Sequence, residues 1–182
     1  MPKSKPADPA VIEPSLLPLA VPIGKVQLWA ANYHSGDVGA LSESLKRWGQ
    51  KKPIVAQAST RTVVAGNHVL KAAQALGWQR IAVVFADLSD EDAAAYAVAD
   101  NRTATLGSND DAMLSQLLVR LVKDGGPQAL AGTGYDEDEV NALLERVAKE
   151  AADAGGEGIG VEDQYRCPKC GHGWSGDPRP AA

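Results

Sequence analysis

Short runs in which apolar and polar residues alternate give way, repeatedly, to longer runs in which apolar residues return every three or four positions. Val21-Pro22-Ile23-Gly24-Lys25-Val26-Gln27-Leu28 alternates after its proline and predicts a first strand. The loop Asn32-Tyr33-His34-Ser35-Gly36-Asp37 follows. Ser35 or Asp37 is placed to cap a helix that carries Leu41, Leu45 and Trp48 and stops at Gly49. Pro53-Ile54-Val55-Ala56-Gln57 and Thr62-Val63-Val64-Ala65 flank Ala58-Ser59-Thr60-Arg61 in the pattern of a hairpin. Gly66 ends the second run. Asn67 is placed to cap a helix through Val69, Leu70, Ala73 and Leu76, which Gly77 stops. Arg80 to Phe85 predicts another strand, and Ser89 with Asp92 predicts a capping box for a helix running through Tyr96 and Val98 toward Asn101.

The remaining pattern is helical. Asn109-Asp110-Asp111 caps an amphipathic helix whose apolar face is Met113, Leu114, Leu117, Leu118 and Leu121, and Gly125-Gly126-Pro127 breaks it. Asp136 to Lys149 predicts the last helix, with Val140, Leu143, Leu144 and Val147 as its stripe. Residues 1–17, rich in Pro, Ala and Lys, read as a loose leader, and residues 151–163 as a flexible linker. The fold class is therefore α+β: a small mixed sheet surrounded by helices, then a helical extension over 127–150 and a short tail over 164–182.

Composition narrows the functions. The 182 residues suffice for one domain with a core, and 45% hydrophobic content supports folding. The formal net charge of -5 argues against a protein held on DNA by bulk electrostatics, since such binding depends on Lys and Arg displacing counterions. The start of the chain has no apolar run of signal-peptide length, and no stretch approaches a membrane span. Cys167 and Cys170 are the only cysteines, so a disulfide framework is not expected and a cytoplasmic protein is the simple reading.

Two places carry candidate chemistry. A strand running into Gly66 and then a helix would aim backbone N–H groups and a helix dipole at an anion, with His68 and Lys71 as further donors. The same residues also suit a plain strand end, an N-cap and a solvated lysine, and residue types alone leave both readings open. In the tail, Cys167-Pro168-Lys169-Cys170-Gly171-His172 has the spacing of one zinc-binding knuckle, with Cys167, Cys170 and His172 as ligands to Zn²⁺. That is an incomplete set, which a second chain in a homodimer would complete; a spent tail and a Cys-x-x-Cys redox pair are the alternatives.

The order of elements resembles the N-terminal domain of the ParB/sulfiredoxin superfamily, in particular short phage-type ParB-like nuclease domain proteins, over residues 18–122. Four segments carry the resemblance: Val21-Pro22-Ile23 with Leu28 and Asn32; Trp48-Gly49-Gln50-Lys51-Lys52-Pro53-Ile54-Val55; Val64-Ala65-Gly66-Asn67-His68-Val69-Leu70-Lys71-Ala72-Ala73; and Tyr96-Ala97-Val98-Ala99-Asp100-Asn101-Arg102. The resemblance implies a nucleotide or phosphate site at Gly66, Asn67, His68 and Lys71, with Arg102 as a phosphate partner and Gln50 as a base or phosphate contact. It implies catalytic roles for Asp100, Asn101 and His68, with Asp100 holding Mg²⁺ that arrives with the nucleotide. His34 is a further candidate for the same pocket.

The departures from the family pattern bear on chemistry. Nucleotide-binding ParB proteins carry paired arginines after the box glycine, and Asn67-His68-Val69-Leu70 stands there instead. Lys71 cannot reproduce a bidentate guanidinium clamp. Sulfiredoxins place a reactive cysteine where Asn67 stands, so sulfinic-acid reduction is not expected. The leading expectation is a DNA-associated protein of a phage or mobile element, acting in the host cytoplasm, with a nucleoside triphosphate or nuclease-type pocket. A small-molecule kinase of the same superfamily, and a non-catalytic adaptor for a DNA-processing protein, are the alternatives. A helix-turn-helix is not evident after the N-terminal domain.

Overall fold

Four strands, β1 (Ala20–Pro22), β2 (Ile54–Gln57), β3 (Val63–Ala65) and β4 (Arg80–Ala86), form one sheet in the order β1-β4-β2-β3. The computed structural model describes residues 11–153 together with the backbone of 165–166 and 173–174. β2 and β4 run parallel, with Ile54 opposite Val83 and Ala56 opposite Phe85, while β1 pairs antiparallel to β4 and β3 antiparallel to β2. The sheet is mixed because the β2–β3 hairpin is local, whereas β3 reaches β4 only through a crossover helix.

Among the described residues the chain forms five α-helices: α1 (Val38–Trp48), α2 (Asn67–Ala75), α3 (Asp90–Leu106), α4 (Asp111–Gly125) and α5 (Glu137–Asp153). The starts of α1, α3 and α4 follow caps read from the sequence. The Asp37, Ser89 and Asp110 side chains accept from the N–H groups of Ala40, Asp92 and Met113. Asp136 and Glu139 cap α5 reciprocally, each carboxylate accepting the other's backbone N–H at 2.8 and 2.9 Å.

The main core gathers Leu45 of α1, Leu70, Ala72 and Ala73 of α2, Trp78, and Ile54, Val63, Ile81 and Val83 of the sheet. A smaller cluster, Val64 with Ala93 and Ala97 of α3, is joined by Trp29, Val55 and Leu88. Val63 and Val64, neighbours on β3, thus serve different clusters, as strand alternation requires. The sheet is covered on both faces, which places the β3–α2 turn between α1 and α3.

Several expectations are corrected. The first strand is only three residues long; Ile23–Lys25 turns in a 3-10 helix, and Gln27 resumes pairing through a single parallel bridge to Thr62. The leader is not loose from Val11 onward: the Val11 carbonyl accepts from Gln50 N–H, Glu13 N–H donates to the Gln50 carbonyl, and Pro14–Leu19 forms a 3-10 helix. α3 continues past Asn101 to Leu106. On α4 the inward side is Ser115 and Leu118, while Met113 and Leu117, expected on the apolar face, are 69% and 53% exposed.

The chain divides into two units, Met1–Val140 and Asn141–Ala182. Within the first, the start of the helical extension is tied back to α1. Arg47 donates to the carbonyls of Ala129 and Ala131, and Gly132 at φ +75° lies so close to Glu43 and Ser44 that a Cβ would meet their backbone at 3.1–3.3 Å. The second unit contains the rest of α5 and an antiparallel ladder, β5 (Tyr165–Arg166) with β6 (Gly173–Trp174). Cys167, Cys170 and His172, and the linker beyond Asp153, lie outside the described residues.

Candidate functional site

β3 ends at Ala65, and the chain reverses at Gly66 to start α2. Gly66 sits at φ +91°, ψ 25°, a left-handed conformation that favours glycine. A Cβ there would come within 2.5 Å of Ile54 Cγ2 in the core, so both the turn and the packing demand glycine. Gly66 itself is therefore the N-cap of α2, and Asn67, expected in that role, is the first helical residue. No side chain caps this end, so the first N–H groups of α2 lack the side-chain acceptor that an Asn or Ser cap would give.

The first two residues of α2 hold the loop that follows β1. Asn67 is 6% exposed; its Oδ1 accepts from Trp29 N–H at 2.9 Å and its Nδ2 donates to the Val63 carbonyl at 2.9 Å. His68 accepts at Nε2 from Gly36 N–H at 3.0 Å. Gly36 lies against the imidazole so closely that a Cβ would meet Cγ and Nδ1 at 3.0 Å. The His34 ring meets His68 edge-on, with centroids 5.7 Å apart and planes at 75°. Loop 29–36 is thus stapled at one end by Asn67 and at the other by His68.

Between this loop, the β3–α2 turn and α3 lies a cleft of about 270 Å³, bordered by Asn32, His34, Gly36, Gly66, His68 and Asp100, among others. Asn101 also borders it, with Nδ2 committed to the Ala97 carbonyl at 3.0 Å, so Oδ1 is the atom it has left to offer. Burial, then the neighbouring Lys71 and His34 charges, hold the His68 imidazole below its ordinary value of 6.5, with a backbone hydrogen bond at His34 pulling the other way.

The structure therefore brings Gly66, Asn67, His68, Asp100 and Asn101 to one cleft, together with His34. Asn67 contributes its backbone, since its side chain is spent on Trp29 and Val63. Lys71 is exposed on α2, outside the cleft's border, and acts on it through charge. Arg102 is likewise exposed and outside the border.

Gln50 is the clear correction. It is 1% exposed, and its side chain donates to the carbonyls of Ala82 and Lys52 and accepts from Ala82 N–H at 2.7 Å. The amide imitates a strand partner for β4, and no donor remains for a base or phosphate. Gly36 was missed as a site residue. Its partner is 32 positions away, and nothing local in Ser35-Gly36-Asp37 announces that contact.

Residues 20–102 match the profile of the ParB N-terminal domain family. Among solved structures, the C-terminally truncated chromosome-partitioning protein ParB from Caulobacter crescentus, complexed with CTP-gamma-S, is similar with a TM-score of 0.61 at 18% identity, over 78% of this chain and 87% of that one. The same truncated protein complexed to the centromeric parS site gives a TM-score of 0.41 at 17% identity, over 75% and 77%. No curated protein matches.

Proposed function

We propose, from the match of residues 20–102 to the ParB N-terminal domain family, that the cleft at the start of α2 holds the phosphates of a nucleoside triphosphate, and that the chain works in association with DNA. The observation that carries this reading is the uncapped N-terminus of α2, opening at Gly66 into a cleft that Asp100 and Asn101 close from α3. Oriented N–H groups and the helix dipole favour an anion at that position. The Caulobacter ParB that shares the fold was complexed with CTP-gamma-S, which makes CTP the first nucleotide to test.

Magnesium that travels with a triphosphate fits the residues present. Mg²⁺ needs only one or two protein carboxylates beside the phosphate oxygens and water. The Asp100 carboxylate, which has no partner among the described residues, and Asn101 Oδ1 would hold it, and the ion would offset phosphate charge. His68 would bind rather than act as a base, since Nε2 is already occupied by Gly36 N–H. In the stretch after the box glycine, where the resemblance implies paired arginines, stand Asn67, His68, Val69 and the buried Leu70, so the clamp is reduced to backbone, His68 and Lys71.

Binding is accordingly weak, with Kd on the order of 0.1–1 mM. Isothermal titration with CTP, ATP and ADP, each with Mg²⁺, tests this against an Asp100→Ala/Lys71→Ala variant. Heat with one triphosphate that falls at least tenfold in affinity in the variant is the expected result. No heat with any nucleotide, or equal affinity in the variant, overturns it.

A further inference from the structure

We propose that His68 is a proton-operated latch on the cleft loop: neutral, it holds Gly36 against α2; protonated, it releases residues 32–36 and turns a donor toward the cleft. Resting on the phosphate reading above, this makes anion binding take up a proton.

The geometry is asymmetric in a way that makes one staple switchable. At the Trp29 end the staple is an amide, Asn67, which has no titration in the accessible range. At the Gly36 end the acceptor is an imidazole nitrogen, and Gly36 N–H can donate to Nε2 only while that nitrogen lacks a proton. Protonation sets N–H against N–H at 3.0 Å, and Gly36 is packed too tightly on the ring to slide aside within the closed loop. The contact must open, and the loop must swing about its fixed Trp29 end.

The charges around the ring agree, and the backbone hydrogen bond at His34 is the contact that favours the proton. Lys71 on α2 and His34 on the loop face His68 and both disfavour its proton. Asp100 borders the same cleft from α3. Asp37, next to Gly36, has its carboxylate on Ala40 N–H at the start of α1. With burial and the Lys71 ammonium both disfavouring the proton, neutral His68 keeps the latch shut. A phosphate entering beside Gly66 reverses the local sign, favours the imidazolium, and frees both His68 and Gly36 N–H as donors.

Two measurements on the full chain separate the latch from the nucleotide reading. In the free protein, an NMR titration from pH 7.5 to 5 follows the imidazole of His68 and the amide of Gly36. A Gly36 amide that shifts and loses exchange protection with the His68 midpoint, while Trp29 N–H does not, supports the latch. A Gly36 amide that ignores His68 overturns it, whatever nucleotides do. His68→Gln keeps an acceptor without a proton equilibrium, and in it the Gly36 amide should stay protected across the range; loss of the pH response only in this variant supports the assignment, and an unchanged response overturns it. Titration of CTP with Mg²⁺ at pH 7 in two buffers of different ionisation enthalpy then reads proton uptake. Uptake of a fraction of a proton, up to one, in wild type and none in His68→Gln supports the coupling, and equal uptake in both overturns it.

Discussion

At the residue scale, side chains that read alike as ligand contacts divide into those that hold the fold and those left for a ligand, and only contacts distinguish them. Gln50 supplies both backbone partners of Ala82 where β4 would otherwise face a gap. Gln50→Leu should lower stability by about 2–4 kcal/mol, because two buried backbone groups lose their partners; urea unfolding measures it, and a loss below the error of the midpoint would contradict the assignment. Gly66→Ala should lower it by upwards of about 2 kcal/mol, from the left-handed backbone and the collision with Ile54. His68 adds a pH dependence. Its folded value lies below the ordinary 6.5, so the unfolded chain binds more protons once pH falls below about 6.5. Its contribution is fully present above that pH and is lost progressively as pH falls toward the folded value. The urea midpoint of wild type should drop further between pH 7 and pH 5 than that of His68→Gln.

At the scale of elements, the sequence was legible wherever the signal was local. Caps at Asp37, Ser89 and Asp110, stops at Gly49 and Gly77, and the hairpin around Thr60-Arg61 all fall where their residue types place them, because a cap or turn is decided within four residues. What was not legible depended on partners far along the chain. The docking of residues 11–13 on Gln50, the return of Arg47 to the 127–131 turn, and the Gly36–His68 contact leave no local pattern. Asn67 shows the limit well: an Asn after a strand and before a helix is an ordinary N-cap, yet the left-handed turn at Gly66 shifts the helix start by one residue and sends the amide to Trp29 and Val63 instead. The Arg47 link carries its own test. In Arg47→Ala, amides of residues 131–134 should exchange faster by hydrogen–deuterium exchange while those of β2 and β4 remain unchanged; equal protection in both proteins would show that the turn is held without it.

At the scale of the whole molecule, a covered mixed sheet makes one end of α2 the meeting point of three segments distant in sequence, and the nucleotide site proposed there has a small set of donors. Among the described residues no helix is long and apolar enough to cross a membrane. With a net charge of -5, the proposed DNA association would have to come from a local surface or a partner. Unspecific duplex should therefore be bound only weakly at physiological salt, which fluorescence anisotropy over a salt series checks. The most direct test of the central claim is an amide-resolved NMR titration with CTP and Mg²⁺. The account predicts progressive shifts at Gly36, Gly66, Asn67, His68 and Asn101, with β1 unaffected. Saturating nucleotide that moves none of these amides, or moves only a distant set, would contradict it.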